Sequence, residues 1–248
     1  MTGPFDTIRN AHGERLDTAF TPAGRSSAFP PEAAVVIAHG VTSNKDRPYL
    51  IALADGLARA GVAALRISYT GNGASEGAFE DATPTKEAAD LGAVLDALRS
   101  AGVRRIGYAG HSMGGAVGVL RAAEDDRIGC LVSLAGMVHV HAFMQRCFGH
   151  LAYGEPMSGR PECPWSRTLE EDARRLGSVL PQAARIGIPW LLVHGDADDL
   201  VPLQDSLDAR AAAGGRPELV TLPGVDHRFT GAIDAMVEAV VPWIVRHL

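Results

Sequence analysis

The chain predicts an α/β fold with a doubly wound, mostly parallel sheet and helices on both faces. Three observations predict it. Short apolar runs alternate with stretches of helical length and spacing, and the runs are apolar enough to be buried on both sides, as parallel strands are. At 248 residues and 46% hydrophobic content, the chain can bury both faces of such a sheet in a single domain spanning 1–248. Right-handed crossovers then bring the carboxyl ends of the strands to one edge, where ligands of open α/β sheets bind.

Taken in order, residues 7–21 open with Leu16, Thr18 and Phe20 in alternation, the pattern of an antiparallel strand or two. Buried strands are expected at 33–38, 62–68, 105–109, 128–135, 190–193 and 219–222. Helices are expected between and after them at 49–60, 86–100, 115–124, 203–213 and 233–247. Residues 137–188 break the rhythm. They mix His, Met, Phe, Tyr, Trp and Pro with a charged helical patch at 169–176, and are expected to form a lid inserted after the sixth strand. Met137, Phe143, Met144, Phe148, Tyr153 and Trp165 within it either line an acyl pocket or fasten the segment to the core.

Charge and composition exclude several classes. With 23 basic against 29 acidic residues the net charge is −6, so there is no basic face for nucleic acid and no polybasic segment for anionic lipid. No stretch approaches the ~20 apolar residues of a membrane span, and Met1 to Leu16 lacks the apolar run of a secretory signal. Three cysteines, Cys130, Cys147 and Cys163, lack zinc spacing and suit a reducing cytoplasm, with a Cys147–Cys163 disulfide as the one pairing considered. His139, His141, Cys147 and His150 have no second ligand cluster of matching spacing, so no metal is expected. The glycines of 71–77 are read as a turn, because no Lys-Ser/Thr follows and no helix opens directly on them. Nothing decides between monomer and homo-oligomer.

The informative motif is Gly110-His111-Ser112-Met113-Gly114, between the strand at 105–109 and the helix at 115–124. Glycines flanking a serine allow a strand-to-helix elbow tight enough to hold the hydroxyl above the sheet, where it can act as a nucleophile. In a chain with 28 glycines that pentapeptide needs support. Serine is a weak nucleophile without a base to take its proton and an acid to orient the base. The strand at 190–193 ends in His194-Gly195-Asp196-Ala197-Asp198-Asp199, and the strand at 219–222 ends in Pro223-Gly224-Val225-Asp226-His227. Ser112, an aspartate and His227 therefore follow one another in the order Ser, Asp, His. His194 and His111 are weaker candidates for the base, one preceding its turn and the other adjoining the serine.

On these residues the chain resembles the α/β-hydrolase superfamily, specifically its small serine esterases with a His-Gly oxyanion loop, such as cinnamoyl and feruloyl esterases. The resemblance runs from about Leu16 onward. It implies an α/β-hydrolase fold, acyl-transfer chemistry and no cofactor. The family's Gly, two variable residues, Asp, then Val-Pro falls on Gly195, Asp198 and Val201-Pro202, which assigns the acid to Asp198 and leaves Asp196 and Asp199 as loop-capping or solvated groups. Charge developing on the carbonyl oxygen would be met by the backbone N–H of Met113, the residue after the nucleophile. The resemblance adds that of Val41, in His39-Gly40-Val41, with His39 a structural hydrogen bonder. Thr70 stands where relatives carry Arg in the loop after the strand at 62–68. The expected activity is hydrolysis of a small-molecule carboxylic ester through an acyl-enzyme on Ser112, His227 and Asp198. Thioesterase, amidase or peptidase, and acyltransferase chemistry share that triad, and a non-catalytic ligand receptor is the alternative from another class.

Overall fold

In the computed structural model, which describes residues 5–24 and 29–248, β1 (Asp17–Thr21), β2 (Ala33–Ala38), β3 (Ala63–Ser68), β4 (Arg105–His111), β5 (Ile128–Leu134), β6 (Trp190–Gly195) and β7 (Glu218–Leu222) form one sheet. Its order is β1-β3-β2-β4-β5-β6-β7, with β1 antiparallel to β3 and every other pair parallel. The chain steps from β2 outward to β3, then returns to the other side of β2 as β4. That reversal leaves a crevice beyond the carboxyl ends of β2 and β4, the place where such sheets bind ligands.

Period-2 alternation sorts the strand side chains between two cores. Val35 and Ile37 of β2 face one side, with α1 (Pro48–Arg59) and α8 (Ile233–His247). Ala34, Val36 and Ala38 face the other, with α2 (Pro84–Ser100), α3 (Met113–Ala122) and α7 (Leu203–Ala212). The double winding expected from the alternation is therefore present. Thr83 caps α2, its side chain accepting from Lys86 N at 3.1 Å, with Pro84 opening the helix.

Two expectations are corrected at the ends of elements. Among the described residues the N-terminal region gives one strand, β1, preceded by an isolated Arg9–Arg15 bridge, so residues 137–188 follow the fifth described strand and not the sixth. The helix expected at 115–124 begins at Met113, directly after Ser112, and β4 runs on to His111, so no residue is left over for a loop at the elbow. The polar opening of the chain from Met1 lies partly outside the described residues.

The 137–188 segment carries α4 (Val140–Phe148), α5 (Arg167–Leu176) and the short α6 (Leu180–Ala183). Met137, Phe143, Met144, Phe148 and Trp165 are buried in the same apolar cluster as α2 and α3, and Phe148 lies between Phe143, in an edge-on ring contact, and Trp165, in a tilted one. These side chains fasten the segment to the core. Tyr153 is exposed and hydrogen-bonded to Glu170. All three cysteines are free thiols, so Cys147 and Cys163 do not pair.

One buried group works against stability. Glu87 on α2 is 1% exposed and neither carboxyl oxygen has a hydrogen-bond partner. Burial, with the nearby Asp90 and Asp172 charges, holds its pKa well above the ordinary 4.5. The folded state keeps a proton that the unfolded chain releases above 4.5, so stability falls as pH rises from there toward the folded-state value. Glu87→Met is expected to raise stability at pH 8 by about 1–3 kcal/mol and to flatten this dependence. Urea unfolding at pH 5 and pH 8 checks it, and an equal change at both pH values would contradict it.

Candidate active site

Ser112 is the hinge between β4 and α3, at φ 55° and ψ −118°, a region in which a side chain is strained. Its surroundings force that geometry. A Cβ on Gly110 would fall 2.1 Å from Gly114 O, and one on Gly114 would fall 2.6 Å from His39 O, so both motif glycines are required by close backbone approach. The elbow is pinned by Ser112 N donating to Leu134 O at 2.9 Å and by Met137 N donating to Ser112 O at 3.1 Å. Tyr108 OH donates to Gly114 O at 2.6 Å. Met113, the first residue of α3, has its N–H at the positive end of a helix beginning at the serine.

The loop after β2 lies against this serine. A Cβ on Gly40 would sit 2.7 Å from Ser112 Cβ and 3.1 Å from its Oγ, so Val41 follows directly on a close backbone approach to Ser112. His39 Nε2 accepts from Tyr69 N at 3.1 Å, which leaves Nδ1 as the donor to Gly40 O at 2.8 Å. Burial lowers its pKa to about 4, so it is a neutral brace for the loop.

Asp198 and His227 meet across the ends of β6 and β7. His227 Nδ1 donates to Asp198 Oδ2 at 2.7 Å, and the carboxylate is wholly shielded from solvent. Leu200 N and Val201 N both donate to Oδ1 at 2.9 Å. A second histidine shares the acid: His194 Nε2 lies 3.3 Å from Asp198 Oδ2 and 2.9 Å from Val201 O, while its Nδ1 faces Ser206 Oγ at 2.8 Å. Burial alone would raise the Asp198 carboxyl. Hydrogen bonds from His194 and His227, with the backbone N–H groups, overcome it and hold the carboxyl well below 3.8. Asp196 Oδ1 accepts from Gly224 N at 2.6 Å, the loop-capping part expected of it.

His111 joins the two halves. Its Nε2 donates to the backbone carbonyl of His227 at 2.8 Å, its Nδ1 accepts from Tyr49 OH at 3.2 Å, and its ring centroid lies 4.7 Å from that of His227. Burial and the neighbouring His227 keep its pKa well below 6.5, so it is a neutral spacer, not a base. The residue preceding the serine thus carries the loop that holds His227. No direct hydrogen bond joins Ser112 Oγ to His227 in this state; such contacts commonly tighten only with substrate bound. Sequence reasoning missed the part played by Tyr49, which no local pattern announces. It missed the sharing of Asp198 by His194, although the i, i+4 spacing inside a turn was a readable signal.

Among the described residues no three His, Cys, Asp or Glu side chains are grouped to hold a metal ion, and His139 pairs with Asp208 at 2.8 Å. No helix of the described residues is long and apolar enough to cross a membrane. A concavity lined by Phe5, Ile8 and Ala97 borders α2 and includes no candidate site residue.

Fold and elbow together define an α/β serine hydrolase. The chain belongs to the prolyl oligopeptidase family, whose model matches residues 50–248. Among solved structures it is similar to Est1E from Butyrivibrio proteoclasticus with ferulic acid bound, at 27% identity over 97% of this chain and 98% of that one, with a TM-score of 0.83. It also shares its fold with the Pyrococcus furiosus esterase Pf2001, at 20% identity, 97% and 90% coverage and a TM-score of 0.74. An α/β serine hydrolase without lid from Xanthomonas campestris aligns at 20% identity over 97% and 93%, with a TM-score of 0.68. None of the curated protein sequences matches the chain.

Proposed function

We propose that the protein is a carboxylic ester hydrolase acting through an acyl-enzyme, with Ser112 as nucleophile, His227 as base and Asp198 as orienting acid. What supports this reading is a strained serine at the end of β4 and a buried His227–Asp198 pair beyond β6 and β7, the two tied together by His111, the residue before the serine, whose Nε2 donates to His227 O. Ser112 Oγ bonds to the acyl carbon as its proton passes to His227 Nε2. The tetrahedral oxyanion is met by Met113 N–H and Val41 N–H, and the alcohol leaves with the proton from His227. Water then attacks the acyl group, giving one proton to His227. The acid departs and Ser112 recovers its proton. No cofactor takes part.

Residues 137–188 are proposed to act as a lid, and the three free thiols accord with a reducing cytoplasm. Esters are favoured over peptides because one of the solved structures that aligns over nearly all of both chains, at 27% identity, is Est1E with ferulic acid bound. Membership of the prolyl oligopeptidase family is a specific reason to keep amide or peptide cleavage as the second reading. A chain-length series of p-nitrophenyl esters, run beside hydroxycinnamate esters, acyl-CoA thioesters and aminoacyl amides, tests the choice. The expected result is turnover of esters well above amides, with a fluorophosphonate labelling wild-type protein and not Ser112→Ala. Amides turned over as fast as matched esters would transfer the assignment to peptidase chemistry. Undiminished labelling of Ser112→Ala would sink both readings.

A further inference from the structure

One fully buried residue outside the proposed triad is linked by hydrogen bonds to both proposed oxyanion donors. Tyr69 directly follows β3, and its backbone N–H and its hydroxyl lead to different sides of Ser112. The backbone N–H donates to His39 Nε2 at 3.1 Å, and His39 Nδ1 donates to Gly40 O at 2.8 Å. Gly40 C=O and Val41 N–H belong to one planar trans peptide and point opposite ways, so a contact that holds this carbonyl also aims this N–H. The rings of His39 and Tyr69 meet edge-on as well, with centroids 5.2 Å apart. Thr70 N donates to Asp90 Oδ2 at 2.9 Å, which ties the backbone beside Tyr69 to α2.

The hydroxyl starts the second chain. Tyr108 OH lies 2.8 Å from Tyr69 OH and gives its one proton to Gly114 O at 2.6 Å, so Tyr69 is the donor between the two hydroxyls. Gly114 C=O shares its peptide with Gly115 N–H, which donates to Ser112 O at 2.9 Å, and Ser112 C=O shares its peptide with Met113 N–H. Every link donates toward the serine. Hydrogen bonds aligned in this way polarise one another, which makes Met113 N–H a stronger donor as well as a fixed one. The sequence leaves room for the relay at two glycines. A Cβ on Gly110 would fall 2.7 Å from Tyr108 Cε1, and one on Gly118, inside α3, would fall 2.7 Å from Tyr108 Cδ1 and nearer still to Cε1. Glycine is costly inside a helix, and the Tyr108 ring is what requires it there.

We propose that Tyr69 is a positioning residue for both oxyanion donors, aiming Val41 N–H through His39 and Met113 N–H through Tyr108. The inference rests on the esterase reading above and gives the two halves of its oxyanion hole one shared support. Both tyrosines are closed off in the core, so neither meets the substrate itself.

The test measures kcat and KM for p-nitrophenyl butyrate, and Ki for an alkyl trifluoromethyl ketone that forms an oxyanion on the serine, in wild type, Tyr69→Phe, Tyr108→Phe and the double variant. Phenylalanine keeps each ring in the core and removes only the relay. With KM little changed, kcat is expected to fall roughly 3- to 10-fold in Tyr69→Phe and roughly 10- to 100-fold in Tyr108→Phe. Ki should rise in step with the loss of kcat/KM, while inhibition by butyrate, which carries no tetrahedral oxyanion, stays level. The double variant should lose no more than Tyr108→Phe, because the Tyr69 hydroxyl acts only through its partner. His39→Asn, able to donate to Gly40 O but too short to reach Tyr69 N, tests the other chain and should lower kcat roughly 10-fold. Thr83→Ala removes a helix cap away from both chains, and should lower the urea midpoint with kcat unchanged. Tyrosine variants that lose stability like Thr83→Ala but keep wild-type kcat and Ki overturn the positioning role, and so does a double variant whose loss is the product of the singles. If only one Tyr→Phe protein folds, it decides; failure of both to fold assigns the pair to folding and overturns the proposal. Unchanged kcat in His39→Asn overturns the His39 chain. A wild-type protein with neither turnover nor fluorophosphonate labelling overturns the esterase reading instead.

Discussion

Asp198→Asn is expected to lower kcat by about 10⁴-fold with little change in KM. The reason is a mismatch of donors. Asp198 accepts three hydrogen bonds, from Leu200 N and Val201 N on Oδ1 and from His227 Nδ1 on Oδ2, and His194 Nε2 lies against Oδ2 at 3.3 Å. An amide can keep its oxygen under the two backbone N–H groups, but then its NH2 faces two ring N–H groups in a site closed to water. His194 has little freedom to respond, because Nε2 also serves Val201 O and Nδ1 serves Ser206 Oγ. His227 relieves the clash most readily by moving its proton to Nε2, the nitrogen that must be empty to receive the proton of Ser112. Labelling of Ser112 by a fluorophosphonate should slow in parallel, with the circular dichroism spectrum unchanged. A variant within tenfold of wild type would remove Asp198 from the mechanism.

The same substitution changes acid stability, with a definite sign. The folded state holds the Asp198 carboxyl well below 3.8, so its stabilising contribution is complete above that value and is lost as pH falls toward the folded-state pKa. Asp198→Asn lacks this loss, and its acid unfolding curve should be less steep.

How far the sequence reached follows from the range over which each contact acts. The strands and helices were legible because burial on both faces imposes apolar runs, and Ser112, Asp198 and His227 were legible because each sits at a strand end marked by turn residues. Where the elements stop was less legible. The start of α3 at Met113 is decided by how closely Gly114 approaches His39 O, a contact with the loop after β2, more than 70 residues earlier in the chain. Tyr49 was read only as the start of a helix, since its hydrogen bond to His111 spans 62 positions. The aromatics of residues 137–188 were ambiguous between pocket and core because composition cannot say which way a side chain faces; burial of Phe143, Phe148 and Trp165 decided it. Glu87 gave no warning, being one of three acidic residues spread along α2, with Asp90 and Asp96.

The second large effect is expected at Gly40→Ala, where the proposed oxyanion loop and the proposed nucleophile share one contact. The added Cβ would lie 2.7 Å from Ser112 Cβ, 3.1 Å from Ser112 Oγ and 3.2 Å from His111 O. Neither side can yield cheaply. Ser112 is held at φ 55° by backbone hydrogen bonds to Leu134 and from Met137, and moving it would break the elbow. The loop is braced by His39, whose ring is fixed between Tyr69 N and Gly40 O. The methyl group must therefore push Val41 N–H away from the point where charge develops, or turn the serine out of line. Loss of one oxyanion donor typically costs about 10²–10³-fold in kcat, and overpacking costs about 1–3 kcal/mol of stability. Gly40→Ala should show both, with ground-state binding of a product acid nearly unchanged. If kcat stays within threefold while the protein is destabilised, the His39–Val41 loop braces the serine but supplies no donor to the oxyanion.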